Sequence, residues 1–90
     1  MYILANHPDG TLYIGVTNDP ARRLGEHRQG LGSAFVRKHY LKRLVYAESH
    51  DDIRTAIQRE TSLKPWPRAW KVALITTQNP DWTDLADQIA

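Results

Sequence analysis

The stretch from Thr11 to Arg28, TLYIGVTNDPARRLGEHR, carries several side chains that can transfer protons or bind phosphates: Tyr13, Arg22, Arg23, Glu26 and His27. Arg23 and His27 are four residues apart, so on a helix they lie on the same face. Both can donate hydrogen bonds to a phosphate, and arginine can do so through two parallel bonds. These residues either form an ordinary solvated surface or converge on a negatively charged ligand.

An acidic residue interrupts the apolar face of a later helix. On a helical wheel of about 100° per residue, Glu60 falls within an apolar stripe formed by Ile53, Ala56, Ile57 and Leu63. Burying an unpaired carboxylate is costly. Glu60 is therefore expected to pair with a cation, to hold a metal or to line a cleft. The cations that could pair with it in a purely structural role are Arg22, Arg23 and Arg59.

Two tyrosines are expected on adjacent strands. Apolar residues alternate with polar or small ones at Leu12, Ile14 and Val16. This period of two is typical of a half-buried strand, and it puts Tyr13 and Gly15 together on the opposite face. Tyr2 is expected on the neighbouring strand, and Gly15 leaves room beside the tyrosine for a ligand or another backbone. The alternative is that both tyrosines simply pack under a helix.

The remaining pattern predicts a compact α+β domain with a small sheet covered by helices. The predicted strands are Tyr2–Ala5, Thr11–Thr17 and Leu41–Glu48, and the predicted helices are Pro20–Gln29, Asp52–Leu63, Pro67–Ile75 and a last short helix after Pro80 through Leu85 and Ile89. Asn18 and Asp19 are suited to cap the first helix, and Asp52 the second.

Composition limits the class of protein. A chain of 90 residues, 41% hydrophobic and 24% charged, is one globular domain, residues 1–90. No apolar run approaches the roughly 18 residues that cross a bilayer, so no membrane association is expected. The chain contains no cysteine, which fits a reducing compartment, and its start does not resemble a secretory signal. We therefore expect a cytoplasmic protein.

Positive charge is concentrated in one segment. Residues 21–43 carry seven Lys or Arg and one acid, Glu26, which gives +6 in a chain of net charge +2. Such a segment suggests nucleic-acid phosphates as the partner, although a solvated helix and loop would look the same. The candidate phosphate contacts are Arg22, Arg28, Arg37, Lys38 and Lys42.

Together these groups could supply a proton acceptor, phosphate clamps and a single metal ligand. Mg²⁺ often needs no more than one or two carboxylates, because waters and substrate phosphates complete its octahedron. Hydrolysis of a phosphodiester needs an activated water, charge stabilisation at phosphorus and help for the leaving oxygen. The set is therefore compatible with phosphodiester chemistry.

The sequence resembles the GIY-YIG nuclease superfamily, and especially its small stand-alone bacterial members. The motifs that carry the resemblance are YIL, GTLYIG, ARRLGEHR, RLVYAE, AIQRE and RAWKVALI followed by NPDW. The resemblance covers nearly the whole chain. It implies a three-stranded antiparallel sheet flanked by helices and an endonuclease that depends on Mg²⁺ or Mn²⁺.

The resemblance also implies roles for individual residues. Tyr2 and Tyr13 match the tyrosines of the two half-motifs, and one of them, with Tyr2 preferred, would deprotonate the attacking water. That role requires nearby cations to lower a tyrosine pKa of about 10. Arg23 would neutralise charge on the phosphoryl oxygens, and Glu60 would hold the metal near the leaving 3′ oxygen. The remaining matches are His27, one helical turn after the arginine, and Asn79, a late active-site asparagine that would contact nucleic acid.

Three functions are compatible with the sequence. The first is a metal-dependent DNA endonuclease, acting on branched, nicked or single-stranded DNA, with target choice supplied by the basic segment, a partner protein or DNA shape. The second is a non-catalytic nucleic-acid-binding module that keeps the fold, although phosphate binding alone does not require Glu60. The third is a protein-interaction adaptor using Trp66, Trp70 and Trp82, but these residues are better explained as core.

Overall fold

The computed structural model describes residues 1–7, 10–29 and 38–85, without the side chains of Pro20 and His27. Its elements are, in chain order, β1 (Tyr2–Ala5), β2 (Leu12–Gly15), α1 (Pro20–Arg28), β3 (Arg43–Ala47), α2 (Ile53–Leu63) and α3 (Arg68–Gln78). The strands form one antiparallel sheet in the order β2-β1-β3. The predicted α+β class with a three-stranded antiparallel sheet is confirmed.

The larger core lies on one face of the sheet, under α2 and α3. Ile3, Ile14 and Tyr46 lie side by side on this face because they are cross-strand partners. Leu63 of α2 and Ile75 of α3 pack against this face of the sheet, and both are fully buried. The predicted core face of β2 is confirmed, since Leu12, Ile14 and Val16 all belong to this cluster.

The opposite face of the sheet is covered by α1. Leu4 and Leu44 are cross-strand partners here, and Leu24 of α1 packs against them. Tyr2 and Tyr13 belong to the same layer. Among the described side chains of α1, Leu24 is the one that is buried, and it anchors the helix to the sheet.

An irregularity in β3 sets which residue lies next to Tyr2. Leu4 pairs with Leu44 and Ile3 with Tyr46, so Val45 is an extra residue that forms a bulge. After the bulge, Ala47 is the partner of Tyr2. A bulge of this kind shifts the facing of every later residue in the strand.

The helix starts agree with the predicted capping. The Asp19 carboxylate accepts a hydrogen bond of 3.2 Å from the backbone N–H of Arg22, and the Asp52 carboxylate accepts one of 2.9 Å from that of Arg54. Each carboxylate satisfies an N–H that has no partner within its helix. None of the helices in the described ranges is long and apolar enough to span a bilayer.

Several predictions about the later part of the chain are wrong. Ile53 and Ile57 are 44% and 49% exposed, because α2 turns the side of Ala56 and Leu63 toward the core instead of the centre of the apolar stripe. Trp70 is 58% exposed, so it is not a core residue, whereas Trp82 is buried. Residues 82–85 are not helical, and the rest of the predicted last helix lies outside the described residues.

Candidate active site

A cleft of about 420 Å³ opens at the end of the sheet where β1 begins and β2 and β3 end. Tyr2 forms part of its lining, with Leu24 of α1 on one side and Ala56 of α2 on the other. Because the strands are antiparallel, this end of the sheet brings together the start of the chain and the segments that lead into α1 and α2. The cleft is therefore bordered by all three of these regions.

Tyr2 lies on the face of the sheet that α1 covers, between two very small neighbours. Its cross-strand partners are Gly15 on β2 and Ala47 on β3. A Cβ atom built on Gly15 would lie 2.5 Å from the Tyr2 hydroxyl oxygen and 3.0 Å from Cε1 of Tyr13. The space that Gly15 leaves is thus filled by the Tyr2 ring, and the close approach that the sequence suggested is made by a tyrosine of the same chain.

The two tyrosines interact directly. Their ring centroids are 6.3 Å apart with the planes tilted by 42°, and a side-chain hydrogen bond joins them. Burial is the main reason that the pKa of Tyr2 is raised above its ordinary value, and Tyr13 raises it further. Arg23 acts in the opposite direction but is outweighed. Among the described residues, the effect of Arg23 is therefore too small to bring the pKa of Tyr2 below its ordinary value, as the predicted base role requires.

Arg23 borders a smaller cleft of about 200 Å³ beside the first one. Thr17 and Asn18, which connect β2 to α1, line both clefts, and Arg22 and Glu26 line the smaller one. Arg22 is paired with Glu26 at 3.5 Å and its side chain is 78% exposed. Arg23 is more enclosed and is close enough to Tyr2 to affect its pKa. The side chain of His27 lies outside the described residues.

Glu60 is partly buried and has a cation partner. Its side chain is 20% exposed, and Oε1 is 3.0 Å from Nζ of Lys64, one helical turn later. The cation paired with it is thus a lysine of the same helix and not one of the three predicted arginines; Arg59 instead contacts both carboxylate oxygens of Glu48 at 3.3 Å. Glu60 nevertheless acts electrostatically on Tyr2, which links α2 to the cleft.

The predicted phosphate contacts divide into two groups. Lys38 and Lys42 are exposed, and Arg37 lies outside the described residues. Arg28 donates hydrogen bonds of 3.3 and 3.2 Å to the Lys42 carbonyl and forms an ion pair with Asp84. Arg28 thus connects α1 to two other segments, and its contacts are those of a structural cation.

Asn79 is the buried C-terminal cap of α3 and is not one of the residues that line the cleft. It is 6% exposed. Its amide nitrogen donates to the carbonyls of Val45 and Thr83 at 3.1 and 2.9 Å, and its oxygen accepts from the backbone N–H and hydroxyl of Thr83, both at 3.1 Å. Two donated and two accepted bonds use the full capacity of the amide. The geometry does not support the predicted contact of Asn79 with nucleic acid.

The sequence reasoning missed two polar residues that line the main cleft. Glu48 and His50 face it, with Glu48 Oε1 2.8 Å from His50 Nε2. Glu48 also accepts a hydrogen bond from the hydroxyl of Tyr46. Burial alone would raise the pKa of Glu48, but the hydrogen bonds from Tyr46 and His50 and the charge of Arg59 lower it. The spacing Tyr-x-Glu-x-His at the end of a predicted strand was the available signal, because alternate residues share a face.

The chain matches a family model and several uncharacterised relatives. Residues 1–73 match the model described as the GIY-YIG catalytic domain. A UPF0213 protein of Bacillus cereus is 40% identical over 63 residues, 70% of this chain and 66% of the relative. A UPF0213 protein of Halobacterium salinarum is 41% identical over 66 residues, 73% of this chain and 86% of the relative.

A third relative comes from a virus. The UPF0213 protein ORF82 of Orgyia pseudotsugata multicapsid polyhedrosis virus is 42% identical over 62 residues, 68% of this chain and 60% of the relative. The match thus spans slightly less than two thirds of the Bacillus and viral proteins. No solved structure matches the chain. With the tyrosine pair, Arg23 and Glu60 grouped at one end of a three-stranded sheet and the family model matched over residues 1–73, the chain belongs to the GIY-YIG catalytic-domain family.

Proposed function

We propose that this protein is a divalent-metal-dependent endonuclease that hydrolyses phosphodiester bonds of DNA. The observation that carries the proposal is that groups from three other elements all act on Tyr2. Tyr2 of β1 is influenced electrostatically by Tyr13 of β2, Arg23 of α1 and Glu60 of α2. Nuclease activity in general is what membership of the GIY-YIG family implies; the metal, the DNA substrate and the residue roles are our proposal.

Arg23 is proposed to stabilise the charge that develops on the scissile phosphate. It borders the smaller cleft, where the sugar-phosphate backbone of a nucleic acid could pass from Arg22 toward Tyr2. A guanidinium can donate two parallel hydrogen bonds to phosphate oxygens. Removing one such pre-positioned donor from an enzyme typically lowers the turnover number by about 10²–10³-fold.

Glu60 is the proposed metal ligand, and its surroundings fit a single-carboxylate site. Lys64 contacts Oε1, which leaves Oε2 as a hard oxygen donor in a side chain that is still one-fifth exposed. Across the described residues there is no group of three or more His, Cys, Asp or Glu side chains that could hold a metal ion. Mg²⁺ or Mn²⁺ bound here would rely on waters and substrate phosphates for its other ligands, and it would supply positive charge to the reacting phosphate.

The tyrosines are proposed to position and deprotonate the attacking water. The raised pKa of Tyr2 makes its phenolate unfavourable in the protein alone, so Tyr2 needs more positive charge than Arg23 provides. A bound divalent metal would have to supply that charge, because the phosphodiester substrate is itself negatively charged. Tyr13, which is hydrogen-bonded to Tyr2 and less buried, is the second candidate for the same role.

The test is a cleavage assay with matched variants. Purified protein is incubated with labelled single strands, duplexes, flaps and four-way junctions in Mg²⁺, Mn²⁺ or EDTA. Glu60→Gln and Arg23→Gln should abolish or strongly reduce metal-dependent cutting. Glu26→Gln and Arg54→Gln are the controls, because each removes a charge of the same sign from an ion pair and neither residue is given a role in the reaction. Equal loss in all four variants would contradict the proposed roles.

A non-catalytic nucleic-acid-binding module remains the second candidate. It is favoured by the pairing of Glu60 with Lys64, which gives the carboxylate a purely structural partner. It is also favoured by the raised pKa of Tyr2. The same assay separates the two functions, since salt-sensitive binding with no cleavage in either metal would support the module.

A further inference from the structure

An exposed tryptophan lies outside the candidate site but is connected to it by a chain of contacts. Trp66, in the turn between α2 and α3, packs partly against the main core, whereas Trp70 on α3 is 58% exposed. Their rings are 5.8 Å apart and meet edge to face at 77°. We call these two residues the tryptophan platform. Most of the surface of Trp70 is in solvent, so packing within the fold does not explain why a tryptophan occupies this position.

The inner half of the platform is held firmly. The Arg59 guanidinium carbon lies 5.7 Å from the centroid of the Trp66 ring, in a cation–π arrangement. Arg59 is in turn fixed by both carboxylate oxygens of Glu48, on the wall of the main cleft. This chain of contacts connects the cleft to Trp66, the ring that Trp70 meets. The exposed Trp70 ring therefore packs against a Trp66 ring that is itself held in place by Arg59.

The sequence around Trp70 is positively charged. Residues 61–78 contain Lys64, Arg68 and Lys71 and no Asp or Glu. Lys71 donates a hydrogen bond of 2.8 Å to the carbonyl of Lys64, and Arg68 donates one of 2.6 Å to the carbonyl of Gly10. A carbonyl acceptor carries no net charge, so the bond to Lys64 does not neutralise Lys71. An aromatic ring among cations is the combination that binds the bases and phosphates of single strands.

We propose that Trp70 stacks on an unpaired base of a single-stranded segment of nucleic acid, while Lys64 and Lys71 lie near its phosphates. This inference rests on the proposed function and names the feature of the substrate that it would recognise. Lys64 contacts Glu60, the proposed metal ligand, so the strand could continue from the platform to the site of cleavage. A base inside a duplex is already stacked on both faces and cannot lie flat on the ring.

The positive charge distinguishes this partner from an apolar protein surface. A docking site for an apolar partner is normally depleted in lysine at its centre. Here two lysines and an arginine lie within six residues of Trp70 in sequence. Binding to a folded protein would be an outcome of the test that overturns the proposal.

The experiment measures binding in EDTA, so that cleavage plays no part. Fluorescence anisotropy of labelled single-stranded and duplex oligonucleotides of equal length gives the Kd of the wild type, Trp70→Ala, Trp70→Phe and Gln78→Ala. Gln78, exposed at the far end of α3, is the control. Trp70→Ala should weaken single-strand binding by about 5- to 150-fold, the range expected for one stacked base. Trp70→Phe should retain most of the affinity, and duplex binding should not change.

Three results would overturn the proposal: an unchanged Kd for single strands in Trp70→Ala, an equal loss for single strands and duplexes, or no single-strand binding by the wild type. Thermal unfolding of each variant confirms that it is folded, and exposure of Trp70 makes the substitution mild. The outcome is separable from that of the cleavage assay. Trp70-dependent binding without cleavage in metal would retain the stacking site and reject the nuclease, and cleavage with Trp70-independent binding would do the reverse.

Discussion

Replacing glycine with alanine is expected to have opposite effects on stability at positions 15 and 25. In Gly15→Ala, the new methyl group would lie 2.5 Å from the Tyr2 hydroxyl oxygen and 2.6 Å from Cζ, both well inside contact distance. The Tyr2 ring is buried between β2 and β3, so it cannot move away without disturbing the Tyr13 contact or Ala47. Overpacking of this kind costs about 1–3 kcal/mol.

Gly25→Ala should do the reverse. No atom of the described residues lies within 4 Å of a Cβ atom at this position in α1, and alanine is favoured over glycine inside a helix by about 0.5–1 kcal/mol. The two variants make the same chemical change, the addition of one methyl group. The difference between them therefore isolates the effect of the Tyr2 contact from the general effect of replacing glycine.

Chemical and thermal unfolding of the two variants and the wild type give the measurement. In a domain of this size, 1 kcal/mol corresponds to a change in Tm of about 4–8 °C. Gly15→Ala should lower the Tm by at least that amount, and Gly25→Ala should raise it slightly. Gly15→Ala should also impair cleavage, because Tyr2 must move. Wild-type stability and activity in Gly15→Ala would refute the close packing of Gly15 against Tyr2.

Three further predictions concern other parts of the molecule. Asn79→Ala should destabilise the fold by about 1–3 kcal/mol, because buried carbonyls lose their donor, while the Kd for DNA stays unchanged in a binding titration. Lys64→Gln should tighten Mn²⁺ binding measured by calorimetry, because the ammonium no longer competes for Glu60; unchanged binding, with Glu60→Gln also unchanged, would reject the metal site. Burial and the hydrogen bond to Glu48 raise the pKa of Tyr46 from 10.0 to about 12. The stability from neutral Tyr46 is therefore fully present below pH 10 and lost as the pH rises through about 12, so the free energy of unfolding should fall less steeply in Tyr46→Phe over this range.

Most of the fold could be predicted because local signals were strong. Period-two alternation identified β2 and its core face, and Asp19 and Asp52 marked the starts of α1 and α2. The facing of α2 was harder, because its apolar stripe is wider than the surface it covers. Ala56 and Leu63 lie at one side of that stripe, and only the position of the sheet decides that this side is buried.

The candidate site was predictable as a set of residues but not as a set of contacts. Tyr2, Tyr13, Arg23 and Glu60 could be selected by residue type and by resemblance. Lys64 follows Glu60 by one helical turn, so this pair was within reach of sequence reasoning. Which arginine approaches which carboxylate depends instead on how α2 is oriented against the sheet, and no local pattern determines that. The capping role of Asn79 likewise depends on where the chain turns after α3.

The bulge at Val45 decides how large a side chain lies opposite Tyr2. With regular pairing continued from Leu44 opposite Leu4, residue 46 instead of residue 47 would lie opposite Tyr2. A bulky tyrosine would then occupy the position that a methyl group now holds, and the opening beside Tyr2 would be filled. Without the bulge, the same sequence would thus close the cleft even with every candidate catalytic side chain intact. The register of β3 is as much a requirement of the site as the identity of its residues.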